Sequence, residues 1–244
     1  MSTRRAAPNF AGMKARHRKI VGDGIGVGVA TGAYGLSFGA ISIASHLNLA
    51  QTCALSLLMF SGASQFALVG VVASGGNPLA GAASAVLLGA RNAFYGLRLA
   101  PMLGLRGPKR AVVAQLVIDE STAMALAQTG RGAERDQGDE GDEDGDGRVG
   151  FFATGLSVFV LWNLGTLLGA VAARHLTDPK QLGLDAAVPA AFLALLSPRM
   201  KGRQPWAIAL TAAAVALALS PFAPAGVPVL AAAAVAVVAG VAGR

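Results

Sequence analysis

Long apolar runs separated by short polar stretches make up most of the 244-residue chain. Several runs reach the ~20 residues that an α-helix needs to cross a bilayer, and the others approach that length. The apolar segments lie at residues 21–45, 50–74, 78–103, 111–129, 150–173, 184–198, 205–220 and 226–242. This pattern predicts an all-α, polytopic membrane helical bundle of seven or eight transmembrane segments, among which a re-entrant or broken helix can occur.

Composition and charge distribution support a membrane domain. Hydrophobic residues make up 54% of the chain and charged residues only 14%, whereas a soluble domain carries about 25% charged residues. Positive charges precede the first apolar segment at Arg4, Arg5, Lys14, Arg16, Arg18 and Lys19. The positive-inside rule therefore predicts that residues 1–20 form a basic cytoplasmic N-terminus and residues 21–243 the membrane domain. The net charge of +7 then needs no nucleic-acid partner to explain it.

One basic loop does not fit a simple alternation of spans. With the N-terminus inside and eight spans, the basic loop at 199–203 falls inside, as the rule prefers, but the basic loop at 106–110 falls outside. A re-entrant segment would remove this conflict, and irregular backbone is tolerated at membrane depth where protein buries it. The candidates are the glycine-rich first segment and the region around Ser64 and Gln65.

Residues 131–148 form a strongly acidic loop within the membrane domain. The stretch 142–147 matches the first half of an EF-hand loop, but the twelfth position is Ala153 and the bidentate glutamate is missing. We therefore expect a solvated, mobile linker and no metal site.

The second segment carries a polar island at Ser64 and Gln65. Together with Ser61 and Leu68 these residues share one face of a helix. A hydroxyl and an amide can donate hydrogen bonds to a carboxylate and accept them from an ammonium group. Contact with a ligand and a simple helix–helix hydrogen bond both remain open as interpretations.

The third segment carries a cationic island. Arg91, Tyr95 and Arg98 lie on one stripe of a helix, with Asn92 beside them. Arg91 lies deep enough to need a carboxylate partner, either in the protein or on a substrate.

Asp119 and Glu120 lie near the centre of segment 111–129. A carboxylate at that depth costs roughly 2.5–3.5 kcal/mol, so it is rarely there by accident. Acidic residues inside the membrane usually mark a transport pathway or a proton relay. Burial opposes its charge and a nearby arginine favours it, so such a group can take up and release a proton during transport. A static salt bridge to Arg91 is the alternative.

The sequence does not predict an enzyme. His17, His46 and His175 lie outside the apolar segments or at their ends, and Ser64 has no evident histidine partner. Cys53 is the single cysteine, so no intrachain disulfide and no metal-binding cysteine pair can form. We expect neither a cofactor nor a metal, and a non-transporting scaffold or a passive channel is the rival to a transporter.

The polar islands, in this order, resemble the AzlC-type branched-chain amino-acid permease family, the large subunit of a two-component exporter. The resemblance covers roughly residues 20–243, and its motifs are Gly62-Ala63-Ser64-Gln65-Phe66, Arg91 with Tyr95-Gly96, Asp119-Glu120, Trp162 with Gly165-Thr166 and Gly169, and Pro189-Ala190. The chain departs from the family at Asn92, where histidine is frequent, and at Ile118, where threonine is frequent.

The resemblance implies export of valine, leucine and isoleucine, with methionine as a further candidate, driven by the proton gradient across the cytoplasmic (inner) membrane. It also implies a small hydrophobic partner subunit of the AzlD type. Combined with the polar islands, it leads to the expectation that the following residues bind substrate: Ser64, Gln65, Arg91, Asn92 and Tyr95. Asp119 and Glu120 are the expected proton-coupling residues.

Overall fold

The computed structural model describes residues 10–133, 143–175, 193, 197, 200–224 and 227–242. These residues form the helices α1 (Phe10–Ala44), α2 (Leu49–Leu58), α3 (Gly62–Ala73), α4 (Pro78–Gly89), α5 (Arg91–Leu103), α6 (Pro108–Ala114), α7 (Asp119–Ala133), α8 (Glu143–Arg174), α9 (Arg203–Leu219) and α10 (Val227–Ala242). The predicted all-α membrane bundle is confirmed. Most of the predicted segment 184–198, with Pro189, and the centre of the acidic loop, 134–142, lie outside the described residues. The two ends of that predicted loop belong to α7 and α8.

The chain divides into two compact units. The first unit comprises Met1–Gly32 and Asn92–Trp162, and the second comprises Ala33–Arg91 and Asn163–Arg244. Helices α1 and α8 each contribute their first part to the first unit and their last part to the second.

Two of the described helices can cross a membrane by length and composition. They are Gly12–Ala44 within α1 and Gly145–Arg174 within α8. Large apolar side chains on both helices remain exposed, among them Val29 at 59% and Val160 at 58%. Exposed apolar surface on such a scale is what a lipid-facing helix requires.

Glycines bring α1 and α8 together in the first unit. A Cβ atom added at Gly28 would lie 2.6 Å from Ser157 Cβ, and one added at Gly32 would lie 2.9 Å from Leu161 Cβ. The contacts advance in the same direction along both helices, so these parts of α1 and α8 are parallel. Small residues permit such close backbone approach, which supplies the packing energy between helices in lipid.

The second unit repeats this packing. Gly39 on α1 lies against the carbonyl of Thr166, and Gly169 on α8 lies against the carbonyl of Leu36. The glycine-rich first segment was a candidate for a helix break, and that expectation is wrong. Its glycines provide room for α8 within one continuous helix.

The second unit contains a helical hairpin formed by α2 and α3. A turn of four residues joins the end of α1 to α2, and residues 59–61 join α2 to α3. Helix α3 then packs antiparallel to α4, with Gly81 beside Leu68 and Gly89 beside Ser64. The start of α3 therefore lies at the end of α4. Ser56 on α2 bonds to Thr166, which lies against Gly39 of α1, and Phe66 on α3 packs on Phe38 of α1. Both arms thus lie at the same level of α1, so the chain reverses at residues 59–61, the tip of the α2–α3 hairpin. The region around Ser64 and Gln65 is confirmed as the site of a broken helix.

The first unit contains a second helical hairpin, formed by α6 and α7 with its tip at residues 115–118. Helix α7 runs antiparallel to α8, because Gly155 packs on Ser121 near the start of α7 and Gly147 packs on Thr129 near its end. Gly147 also packs on Met102 at the end of α5. Helix α6 thus rises from the end of α5 to the tip, and α7 returns. The sequence prediction of one continuous segment at 111–129 is corrected on this point.

Candidate functional site

The start of α3 lacks a side-chain cap. Ser61 occupies the N-cap position with extended backbone (φ −154°, ψ 102°) and makes no capping hydrogen bond. By contrast, Asn48 caps α2 with a complete capping box and Asn77 caps α4. The first N–H groups of a helix have no partner within the helix, so the first turn of α3 presents N–H donors and the positive end of its dipole.

Ser64 faces the junction between α4 and α5. Its side chain is buried, and its hydroxyl donates a hydrogen bond of 3.2 Å to Ser61 Oγ. A Cβ atom added at Gly89 would lie 3.2 Å from Ser64 Oγ. Arg91 follows Gly89 by two residues and begins α5. The second unit therefore brings the hydroxyl of Ser64, the uncapped start of α3 and the chain segment that carries Arg91 to one place.

Gln65 holds the two arms of the α2–α3 hairpin together. Its side chain is fully buried, and its amide nitrogen donates to the carbonyl oxygens of Met59 at 2.8 Å and Leu55 at 3.1 Å. The carbonyl of Ser56 lies at 3.5 Å. Leu55 and Ser56 belong to the last turn of α2, and Met59 is the residue that follows the helix. The Leu55 oxygen also accepts the N–H of Met59, so Gln65 uses the remaining acceptor capacity at this helix end. The structure thus gives Gln65 a bonding role within the hairpin.

Each arm of the α2–α3 hairpin is also fixed to a long helix of the second unit. Ser56 on α2 donates a hydrogen bond of 3.1 Å to Thr166 Oγ1 on α8. Phe66 on α3 packs edge-to-face on Phe38 of α1, with ring centroids 5.6 Å apart. The tip is therefore supported on both sides by buried contacts.

The predicted cationic island divides between the units. Arg91 is half-buried and belongs to the second unit, whereas Asn92 and Tyr95 belong to the first. Tyr95 packs on the apolar core of the first unit, around Leu99 and Phe151. The Oδ1 atom of Asn92 is buried and accepts no hydrogen bond from the described residues.

Asp119 and Glu120 occupy the first turn of α7. Both side chains are half-buried. The prediction that they lie within a continuous helix is wrong, because the chain is non-helical at residues 115–118 immediately before them. Acidic side chains are common in the first turn of a helix, and the acidic pair follows that preference here.

Ser121 closes the tip of the α6–α7 hairpin. Its hydroxyl donates to the carbonyl of Leu116 at 2.6 Å and accepts from the N–H of Ile118 at 3.2 Å. Beside it, the hydroxyl oxygen of Thr122 is buried and has no hydrogen-bond partner among the described residues. Sequence reasoning missed both residues. The sequence feature that could have identified them is their position directly after two acidic residues, because such a composition is typical of a helix start.

Comparison with known families decides the class of the protein. A family model described as AzlC protein matches residues 26–176. The chain belongs to the AzlC family. That family is associated with branched-chain amino-acid transport, which makes this chain a membrane protein of a transporter family and implies a function other than catalysis. The AzlC match includes both hairpins and all of the predicted site residues. No curated protein and no solved structure matches the chain.

Proposed function

We propose that this AzlC-family protein is a secondary-active exporter of branched-chain amino acids in the cytoplasmic (inner) membrane. Its substrates are valine, leucine and isoleucine, with methionine as a further candidate, and protons drive the transport. The observation that carries the proposal is the uncapped start of α3, which lies beside the junction leading to Arg91 in a chain of a transporter family.

The α2–α3 hairpin has the chemistry of a carboxylate site. Transporters use the positive ends of interrupted helices to hold the carboxylate of an amino acid. Here the N–H groups of Gly62, Ala63 and Ser64 supply donors at that end of α3. The Ser64 hydroxyl donates to Ser61 Oγ in this structure, and it adds one more donor when it rotates toward the substrate. Arg91 supplies a guanidinium, which pairs with a carboxylate in bidentate geometry. Asn92 and Tyr95 of the first unit stay proposed substrate contacts on the strength of the sequence alone.

The depth of the hairpin supports a site inside the membrane. Helix α2 has ten residues, which correspond to about 15 Å, or half of a ~30 Å hydrocarbon core. A hairpin of this length enters the membrane without crossing it. Its tip is then buried in protein, the setting in which irregular backbone and polar groups are tolerated.

Asp119 and Glu120 are the proposed proton-coupling residues. They are carboxylates at the tip of the α6–α7 hairpin, and intramembrane acids of this kind mark proton pathways. The variants Asp119→Asn and Glu120→Gln test the assignment. We expect at least one of them to abolish the pH dependence of transport. If both variants fold and transport with unchanged pH dependence, neither residue carries the coupling proton.

The distribution of positive charge supports a cytoplasmic N-terminus. In the first unit Asp146 at the start of α8 pairs with Arg16 at 3.1 Å and with His17 at 3.0 Å. Gly147, the next residue, packs on Met102 at the end of α5. The basic start of α1 and the basic loop at 106–110 therefore lie at the same end of this unit, and the positive-inside rule applies to both.

The role of Arg91 is tested with a matched control on the same helix. Arg98 is exposed on α5, whereas Arg91 is half-buried. We expect Arg91→Gln to reduce valine efflux at least tenfold and Arg98→Gln to leave it nearly unchanged. Equal effects of the two substitutions would remove Arg91 from the carboxylate site. The assay includes a small hydrophobic subunit of the AzlD type, which we propose as the partner of this chain.

A further inference from the structure

We propose that Gln65 is a positioning residue of the carboxylate site and does not itself contact the substrate. In this role its amide fixes the last turn of α2 to the first turn of α3. It thereby sets the direction in which the N–H groups of Gly62, Ala63 and Ser64 point. This inference rests on the proposed function and gives a specific role to a residue that sequence reasoning placed among the substrate contacts.

The observed hydrogen bonds of Gln65 use both N–H donors of its side-chain amide. A glutamine amide has two N–H donors, and the nitrogen that carries them lies within 2.8 Å of Met59 O and 3.1 Å of Leu55 O. Leu55 O belongs to the last turn of α2 and Met59 O to the residue directly after it, and the Gln65 side chain is fully buried. Both N–H groups of the Gln65 amide are therefore engaged at this end of the hairpin, and neither is left for a substrate carboxylate.

A neutral amide suits this position electrostatically. The negative end of the α2 dipole and the positive end of the α3 dipole meet at the tip. Gln65 satisfies the carbonyls of α2 without adding a formal charge. The attraction for an anionic group then comes from the start of α3 and from Arg91.

The hairpin can survive the loss of these bonds, because its arms have other anchors. Ser56 bonds to Thr166 on α8, and Phe66 packs on Phe38 of α1. A substitution at Gln65 should therefore leave the arms in place and release the tip. We therefore expect a Gln65 variant to fold and to bind the substrate more weakly.

Two ligands distinguish a positioning role from a contact with the substrate ammonium. Purified protein in lipid nanodiscs is titrated with L-valine and with its 2-oxo acid, which keeps the carboxylate and lacks the ammonium. We expect Gln65→Met to weaken the binding of both ligands by the same factor of about ten, because a lost buried hydrogen bond has an effect of that order. A loss confined to L-valine would overturn the proposal.

Gln128 provides the matched control. It is a second buried glutamine, on α7, and its amide nitrogen contacts Met124 Sδ at 3.4 Å on the same helix. We expect Gln128→Met to leave the dissociation constants of both ligands within twofold of the parent protein. A loss equal to that of Gln65→Met would mean that removing any buried amide weakens binding, and the positioning role would be lost.

A thiol-labelling experiment tests the direction of the α3 start without any substrate. Ala63→Cys is introduced into a Cys53→Ser background, so that the half-buried position 63 carries the single thiol. Its reaction rates with an anionic and a cationic methanethiosulfonate are then compared. We expect the anionic reagent to react faster, and Gln65→Met to reduce that preference severalfold. An unchanged preference would overturn the positioning role.

The two experiments separate failure of the inference from failure of the proposed function. If the parent protein binds neither L-valine nor its 2-oxo acid, the substrate assignment fails. The labelling preference at position 63 still decides whether Gln65 positions the start of α3.

Discussion

The hydroxyl of Ser121 lies 2.6 Å from the carbonyl oxygen of Leu116 and joins the two arms of the α6–α7 hairpin. Gln65 has the same function in the α2–α3 hairpin, where its amide reaches back to the carbonyl of Met59. In each hairpin a polar side chain from the first turns of the second helix satisfies carbonyls that the chain reversal leaves without helical partners. Such bonds are needed where water is excluded, because an unsatisfied backbone group costs several kcal/mol in lipid.

Removing the Ser121 hydroxyl should destabilise the protein more than removing a hydroxyl within one helix. Ser84 is the matched control, because it is equally buried and donates to Ala80 O of its own helix at 2.9 Å. We expect Ser121→Ala to cost about 1–3 kcal/mol, since it leaves Leu116 O and Ile118 N–H without this partner. Thermal unfolding in detergent measures the difference. Equal melting temperatures for Ser121→Ala and Ser84→Ala would contradict this account of the tip.

The close approach of α1 and α8 should be sensitive to a single methyl group. A Cβ atom at Gly39 would collide with the backbone at Thr166 and Ala170, whereas one at Gly26 would meet nothing within 4 Å. We expect Gly39→Ala to cost about 1–3 kcal/mol through overpacking. Gly26→Ala should be neutral or stabilise by about 0.5–1 kcal/mol, because alanine favours the helix.

Monodispersity and thermal unfolding of the two glycine variants provide the comparison. If Gly39→Ala is as stable as Gly26→Ala, glycine is not required for the contact with Thr166.

The hydrogen bond between Ser56 and Thr166 should be weak in energy. Interhelical hydrogen bonds in membrane proteins contribute about 0.6 kcal/mol on average. A double-mutant cycle of Ser56→Ala and Thr166→Val should give a coupling energy of that size. A coupling energy near zero would show that the 3.1 Å contact does not anchor α2.

Much of the architecture could be predicted from hydrophobic periodicity, and one of the two chain reversals could also be predicted. At the α2–α3 hairpin, Ser61 and Gly62 interrupt the apolar run with residues typical of a helix boundary. At the α6–α7 hairpin, residues 115–118 read Gln-Leu-Val-Ile and contain neither glycine nor proline. Their apolar character comes from burial in the core of the first unit, where Leu116 and Val117 pack.

The residues of the candidate site were predictable as types, but their roles were not. Ser64, Arg91 and Asp119 stood out because polar groups are costly in an apolar segment. The bonding of Gln65 to α2 depends on where the chain reverses, and spacing along the sequence does not contain that information. The acidic pair was predicted mid-helix for the same reason, whereas the structure places it at a helix start.

The contacts of Asp146 with Arg16 and of Gly147 with Met102 in the first unit predict on which side of the membrane the loop at 106–110 lies. Lys109 is exposed, and we expect Lys109→Cys, in a Cys53→Ser background, to react with an impermeant maleimide only after the cells are permeabilised. Ala50→Cys, which follows the α1 span and is also exposed, is the control and should react in intact cells. Labelling of Lys109→Cys in intact cells would contradict the proposed orientation.

The most direct test of the account is amino-acid efflux from intact cells. Cells that express this chain with its small partner subunit are loaded with a valine- or leucine-containing dipeptide, and internal and external amino acids are followed with and without a protonophore. We expect uphill release of valine or leucine that the protonophore abolishes. Release no greater than from empty cells, with both proteins present in the membrane, would contradict it.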